Sequence, residues 1–368
     1  MAEATAFPVA VKATTPRDSC RLLALNRKEG NHFHFNFRDI LNFFREGDCL
    51  VLNESAVFPA RIRFYADGKE GEMLLGNLPH NDNPVVSAKI DGKTLKRLKQ
   101  ANGKVEFAKG GKGILEVLNF DQATRAFKIR ILLDIKDAAI SMMKNTLNKL
   151  VCRLGEVPLP PYILKARQRL GLNPIAQEDP DDYQTVYAQK PGSMACPTAG
   201  LHWTRQLLGR LEHHGVTIVK VALDIGFASL TTISGNGSSA QAPATLPEEK
   251  YTLSKQTADK INSTRSMGGR IFACGTSAVR TLETMSYPNG HLDHGSGKTS
   301  LFIKPGYTFR CVDAMITNFH LPESTNFLMT QAFVGEKYDL YDIYNNAKEA
   351  GYSFFSLGDA MVIYGNQS

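Results

Sequence analysis

Between residues 183 and 204 the chain reads YQTVYAQKPGSMACPTAGLHWT, which gathers phenols, amides, hydroxyls, small residues and one imidazole, His202. Gly192, Pro197 and Gly200 shape the backbone, and small residues such as Thr198 let a ligand approach it closely. Tyr183, Gln184 and Tyr187 offer an amide and aromatic faces. An imidazole titrates near physiological pH, so His202 is either a proton-transfer group or a hydrogen-bonded structural residue. Cys196 is read as a buried small thiol rather than a nucleophile. A second constellation, GTSAVRTLE at 275–283, sets Gly275, Thr276 and Ser277 where a strand turns into a helix. Free N–H groups at a helix start favour an anion such as a carboxylate or phosphate. Arg280, one turn on, either clamps that anion or forms a salt bridge within the protein. The third, NFHLPEST at 318–325, carries Asn318 and His320, again a proton-transfer candidate or a structural histidine. Neither His202 nor His320 has a neighbour that would make an HxH or HExxH metal site, and no GxSxG, GxxxxGK[ST] or GxGxxG pattern occurs, so neither metal dependence, an ordinary hydrolase triad nor a P-loop is expected.

These residues need elements to hold them. GDCLVLNES reads as a turn, a buried strand over Leu50 to Leu52, and a strand-end loop carrying Asn53. Arg61 follows within reach of that loop, as a ligand contact or a surface ion pair. TRQLLGRLEHH reads as a helix ended by Gly215, then VTIVKVALDIGF as a strand. SKQTADKINSTRSMGG is a helix, RIFACGTSAVRTLETM a strand, turn and helix, SLFIKPGYTF a strand with a tight exit, and 341–350 a helix. Alternating strands and helices predict an α/β fold with a large mixed-sheet domain over 1–66 and 151–368. Between them, 67–150 changes to short period-two runs, GKVEFA, GILEVLNF and AFKIRILLD, and is expected to be an inserted, smaller β-barrel-like domain. TISGNGSSAQAPATLPEE, at 232–249, reads as a low-complexity loop.

At 368 residues, with 43% hydrophobic and 21% charged residues, the composition is that of a soluble globular protein. No apolar run approaches the length of a membrane span and no secretory pattern opens the chain, so a cytoplasmic protein is expected. Six scattered cysteines without a CxxC pair fit a reducing compartment. The net charge of +7 favours an anionic partner, with basic clusters at 89–112 and 144–169 that suit nucleic-acid phosphates or a merely solvated surface.

GDCLVLNESAVFPARI, GEVPLPPYI, YQTVYA, GSMACPTAGLHWT, GGRIFACGTSAVRTLE, FIKPGYTF, ITNFHLPESTNFLMTQAFVG and FFSLGDAMVI occur in this order between residues 17 and 364. Together they resemble the S-adenosylmethionine:tRNA ribosyltransferase-isomerase family of queuosine biosynthesis. That resemblance implies transfer and isomerisation of the ribosyl part of S-adenosylmethionine onto 7-aminomethyl-7-deazaguanine at the tRNA wobble position, giving epoxyqueuosine, adenine and methionine. S-adenosylmethionine is then a consumed co-substrate, with no bound cofactor and no metal, and the protein is expected to act as a monomer on tRNA. Such chemistry asks for a base beside the sulfonium and an acid for the departing adenine, for which His202 and His320 are candidates. Thr276, Ser277 and Arg280 are candidates for the methionine carboxylate. Asn53, Arg61, Tyr183, Gln184, Tyr187, Thr198, Gly200, Gly275 and Asn318 complete the expected binding residues. The chain departs from the family's HxMHxE segment, having APATLPEEKY, where Glu248 or Glu249 matches the glutamate and both histidines are missing. A diverged enzyme using another nucleoside or RNA, and a tRNA-binding protein without catalysis, are the alternative readings.

Overall fold

A computed structural model describes residues 7–79, 83–134, 147–230, 245–322 and 324–365. The chain divides into two compact units, one of Met1–Ala56, Leu159–Lys190 and Cys196–Ser368, the other of Val57–Pro158 and Pro191–Ala195.

The larger unit is built on a nine-stranded sheet. In chain order its strands are β1 (Arg21–Asn26), β2 (Asn31–Asn36), β3 (Cys49–Asn53), β13 (Thr217–Leu223), β14 (Glu249–Leu253), β15 (Ile271–Cys274), β16 (Gly295–Thr299), β17 (Ala314–Asn318) and β18 (Ala360–Tyr364). Their spatial order is β16-β14-β13-β3-β15-β17-β18-β1-β2. The central run β13, β3, β15 and β17 is parallel, and β18 is antiparallel to β17 but parallel to β1, so the sheet is mixed.

All five residues of β3 are buried. Its unbroken apolar run, CLVL, follows from a sheet covered on both faces, where neither side of the pleat meets water. Alternation then sorts side chains into two cores. Cys49, Val51, Val221, Ile271, Ala273 and Met315 face one, together with Ala278, Val279 and Leu282 of the helix Thr276–Met285. Leu50, Leu52, Phe272, Cys274, Ala314 and Ile316 face the other, with Trp203 and with Leu207 and Leu211 of the helix Arg205–His213. Thr204 caps that helix through its hydroxyl, which accepts from the Leu207 N–H at 3.1 Å.

The strand expected over SLFIKPGYTF does not form. Residues 301–309 are irregular, with a turn at Pro305 and Gly306, and the strand of this region is β16, GSGKT, one segment earlier. Of the low-complexity loop, 232–244 lies outside the described residues, as does Glu323 of the NFHLPEST motif.

The smaller unit contains β5 (Arg61–Ala66), β6 (Lys69–Leu75), β7 (Val85–Lys89), β8 (Lys104–Phe107), β9 (Lys112–Asp121), β10 (Ala126–Leu133) and β11 (Gly155–Glu156). Two short strands, β4 (Ala56–Val57) and β12 (Pro191–Ser193), pair with each other. From β5 the antiparallel ladder runs through β6, β7, β10, β9 and β8, and β8 pairs back onto β5 at Phe64 and Phe107. Six strands therefore close a barrel, which removes exposed edges. Ile62, Phe64, Met73, Leu75, Val86, Ala88, Phe107, Leu115, Ile129 and Ile131 are buried in it. This unit is wider than the period-two stretch 67–150, because RIRFYA already alternates and pairs with β6 over its whole length. It also holds a helix, Gly92–Gln100.

Candidate active site

Parallel strands present their carboxyl ends on one edge, and in open α/β sheets ligands bind in the crevice there. Asn53 ends β3, Gly275 follows β15, Asn318 ends β17 and Asp224 follows β13, so four neighbouring strands deliver polar residues to this edge.

Asn53 is fully buried, and its amide nitrogen donates to Ser277 Oγ and to the Leu223 carbonyl, each at 3.0 Å. Its oxygen accepts from the N–H groups of Ser55 and Leu223. With every valence used, Asn53 ties β3, β13 and the start of the helix Thr276–Met285 together. Gly275 stands before that helix with φ +86°, a conformation that favours glycine, and no side chain caps the helix start. Thr276 beside it is half-buried. A helix start without a side-chain cap leaves its first backbone N–H groups without an intrahelical partner.

Arg280 does not join them. It is buried with Glu249, pairs with the Glu249 carboxylate, and donates to the Leu301 carbonyl at 3.2 Å and the Thr299 carbonyl at 3.4 Å. Glu249 also accepts from the Gly226 N–H at 2.6 Å. The salt-bridge reading of Arg280 is thus the observed one: its charge is spent inside the protein. Glu248, by contrast, is exposed and pairs with Lys298.

His202 is buried on the other face of the sheet, its ring 5.1 Å from that of Phe37. Nε2 lies 3.1 Å from Asn318 Nδ2 and Nδ1 lies 3.1 Å from Cys20 Sγ. Asn318 Nδ2 also reaches the Asp359 carbonyl at 3.4 Å. A carbonyl only accepts, so the amide must turn its NH2 that way, and His202 Nε2 accepts the second N–H. The ring proton then sits on Nδ1 and points at Cys20 Sγ. Burial, with the charge of Arg17 second, lowers the His202 pKa to about 3, so the ring is neutral at pH 7. Burial pushes the Cys20 thiol far up, which leaves it a thiol. With both nitrogens engaged, His202 orients Asn318. Asn318 Oδ1 is buried and has no hydrogen-bond partner among the described residues.

His320 is half-buried and faces the opposite core: its Nε2 is 2.6 Å from Thr317 Oγ1, and its N–H donates to the Tyr344 hydroxyl at 2.8 Å. Burial lowers its pKa to about 4. The two histidines that the sequence paired chemically are separated by the alternation of β17, since Thr317 and Asn318 point to opposite faces.

Tyr183 and Tyr187 are 2% and 7% exposed, which leaves neither an open aromatic face for a purine. Burial drives both phenols well above their ordinary pKa. A Cβ on Gly200 would overlap the Tyr187 hydroxyl and come within 2.8 Å of Thr185 Cγ2, so the glycine is demanded by packing. Thr198, half-buried, begins the short 3-10 helix that ends at His202, and Ala199 lies 3.6 Å from where a Gly275 Cβ would stand. Gln184 accepts from Arg17 through its carbonyl at 2.7 Å. Arg61 belongs to the barrel unit, 3.9 Å from Glu72. Cys196 is buried, with its thiol pushed far up by burial.

Sequence reasoning missed Asp224. It is half-buried, its Oδ1 accepts from Ser55 Oγ at 3.2 Å, and burial raises its pKa. The signal was there in VALDIGF, an acidic residue at the end of a buried strand. Among the described residues no group of three His, Cys, Asp or Glu side chains is arranged to hold a metal ion, and no helix is long and apolar enough to cross a membrane.

The family profile described as queuosine biosynthesis protein matches residues 6–363. The S-adenosylmethionine:tRNA ribosyltransferase-isomerase of Staphylococcus aureus strain JH9 is 38% identical over 364 residues, covering 97% of both chains, and that of strain Newman matches equally. The crystal structure of an S-adenosylmethionine tRNA ribosyltransferase from Thermotoga maritima superposes with a TM-score of 0.50 and 28% identity over 96% of each chain. A profile match over nearly the whole length, joined to this identity, makes the chain a member of the queuosine biosynthesis protein family.

Proposed function

We propose that this protein is an S-adenosylmethionine:tRNA ribosyltransferase-isomerase that moves the ribosyl unit of S-adenosylmethionine onto 7-aminomethyl-7-deazaguanine in tRNA, acting in the cytoplasm. The observation that carries this reading is the 38% identity over 97% of the chain to enzymes of that name. The polar carboxyl edge of β13, β3, β15 and β17 supports it as the reaction centre. In this reading the uncapped helix start at Thr276 and Ser277 takes the methionine carboxylate, and the Thr198 hydroxyl lines the same crevice.

The reaction needs one group to remove a proton beside the sulfonium and another to protonate the leaving adenine. Asp224, directly after β13 with its pKa raised by burial, is the acid in this reading; the neutral imidazole of His320 is the base. His202 and Asn318 position rather than transfer, because both His202 nitrogens are already bonded. Arg280 and Glu249 hold the helix Thr276–Met285 against β14 and have no contact with substrate. Adenine release from S-adenosylmethionine, dependent on precursor-bearing tRNA, tests the reading; folded protein that releases none at saturating substrate refutes it.

A further inference from the structure

Charge is divided unequally between the two units. Residues 57–158 hold eighteen Lys and Arg against eleven Asp and Glu, a formal +7 that equals the charge of the whole chain. The rest of the chain is left with twenty-five of each sign, and is formally neutral. The basic excess, diffuse along the sequence, is therefore confined to the barrel unit.

Within that unit the charge has a focus. The helix Gly92–Gln100, GKTLKRLKQ, contains four basic residues and no acidic one. Lys93, Lys96 and Lys99 are exposed and recur every third residue, so they form one stripe. Among the described residues none of the three is in an ion pair. Arg97 beside them donates to the Glu70 carbonyl at 2.7 Å. The nearby acid, Asp91, is occupied as the N-cap, accepting from the N–H groups of Lys93 and Thr94. Like charges at this spacing oppose helix formation. Leu98 and Thr94, both buried, hold the helix on the barrel instead, with Thr94 packed where a Cβ on Gly71 would lie 2.6 Å from its methyl. After the turn at Asn102 and Gly103 the chain continues into β8 and β9 with Lys104, Lys109 and Lys112, all exposed.

We propose that this helix and the adjoining β8–β9 ribbon are a docking face for the phosphate backbone of RNA, an inference that rests on the tRNA reading above. Three lysines along about 9 Å of helix, at 1.5 Å per residue, match a length over which a nucleic-acid strand offers about three phosphates. An amphipathic helix lying on an anionic membrane would present an apolar face beside its lysines, whereas here Leu98 is turned into the barrel; the exposed apolar side chains nearby, Ile114, Leu118 and Phe120, belong to β9 and not to the lysine helix.

The test uses the full-length protein and precursor-bearing tRNA, with affinity measured from 50 to 250 mM KCl. The variant K93Q/K96Q/K99Q is compared with K260Q/K337Q/K348Q, which removes three exposed lysines from the neutral unit. The barrel triple should weaken tRNA binding about tenfold or more and reduce the slope of log affinity against log salt by about 2, at 0.7–0.9 for each phosphate no longer neutralised. The control triple should move the slope by less than about 0.5, and both should keep wild-type melting temperatures and S-adenosylmethionine binding. Equal behaviour of the two triples, or wild-type affinity and slope in the barrel triple, overturns the docking face while leaving the reaction assignment intact. So does a weakening confined to anionic phosphatidylserine vesicles. Wild-type protein that binds no tRNA overturns both.

Discussion

Replacing Glu249 by Gln tests whether Arg280 is a structural partner or a substrate clamp. Both side chains are almost fully buried, at 7% and 2% exposure, so solvent gives the pair little screening. Removing the carboxylate charge leaves the guanidinium buried without a counter-charge, which costs about 3–5 kcal/mol. The carbonyls of Leu301 and Thr299 stay in place, and the Gln oxygen can still accept from Gly226 N–H, so the low end, about 3 kcal/mol, is expected. At roughly 2–4 °C per kcal/mol for a unit of this size, the melting temperature should fall by about 6–12 °C. The double variant E249L/R280M removes both charges and should recover at least half of that loss. Differential scanning calorimetry reads the stability, and steady-state adenine release reads the KM for S-adenosylmethionine, expected within about twofold of wild type at a temperature where E249Q is folded. A melting temperature within a degree of wild type, together with a KM raised tenfold or more, would refute the structural pairing and return Arg280 to the substrate.

His202, with its pKa lowered to about 3 from 6.5, makes the folded state bind fewer protons than the unfolded chain between those values. Its contribution is constant above pH 6.5 and lost as pH falls toward 3, about 2 kcal/mol by pH 5, so H202Q should flatten the denaturation free energy between pH 6.5 and 5 relative to wild type. An unchanged slope would contradict the buried neutral imidazole. G200A forces a methyl into the Tyr187 hydroxyl and should cost about 1–3 kcal/mol by urea denaturation; a neutral result would mean that the 3-10 helix has room to shift. D224N should lower the rate of adenine release by about 10²–10⁴ while the melting temperature moves by less than about 2 °C; full activity would remove Asp224 from proton transfer.

Local physics made most of the larger unit legible. The apolar run of β3, the Thr204 cap and the Gly275 turn are each decided by neighbours within a few residues, and these elements formed where their residues predicted. GSGKT carries no strand signal, yet it pairs with β14 along five residues, because an edge strand is chosen by the neighbour it completes. The site was half legible for the same reason. That Asn53 and Gly275 lie at strand ends follows from local pattern, whereas the strand that Asn318 ends, AMITN, is not among the elements read from the sequence. That Arg280 meets Glu249, 31 residues away, or that Cys20 meets His202, depends on tertiary packing that no spacing encodes. The aromatic faces of Tyr183 and Tyr187 failed as candidates because a phenol reads alike in a core and in a pocket. Asp224 was overlooked because one carboxylate at a strand end looks like solvated surface until Ser55 is seen bonded to it.

Isotope labelling distinguishes which part of S-adenosylmethionine reaches the RNA. Precursor-bearing tRNA is incubated with this protein and S-adenosylmethionine carrying ¹³C either in the ribose or in the methyl group, and the tRNA is digested and its nucleosides weighed by mass spectrometry. Ribose label should enter the modified base with equimolar adenine released, and methyl label should leave with methionine. Methyl label in the tRNA, or ribose label retained entirely in small molecules, would contradict the account.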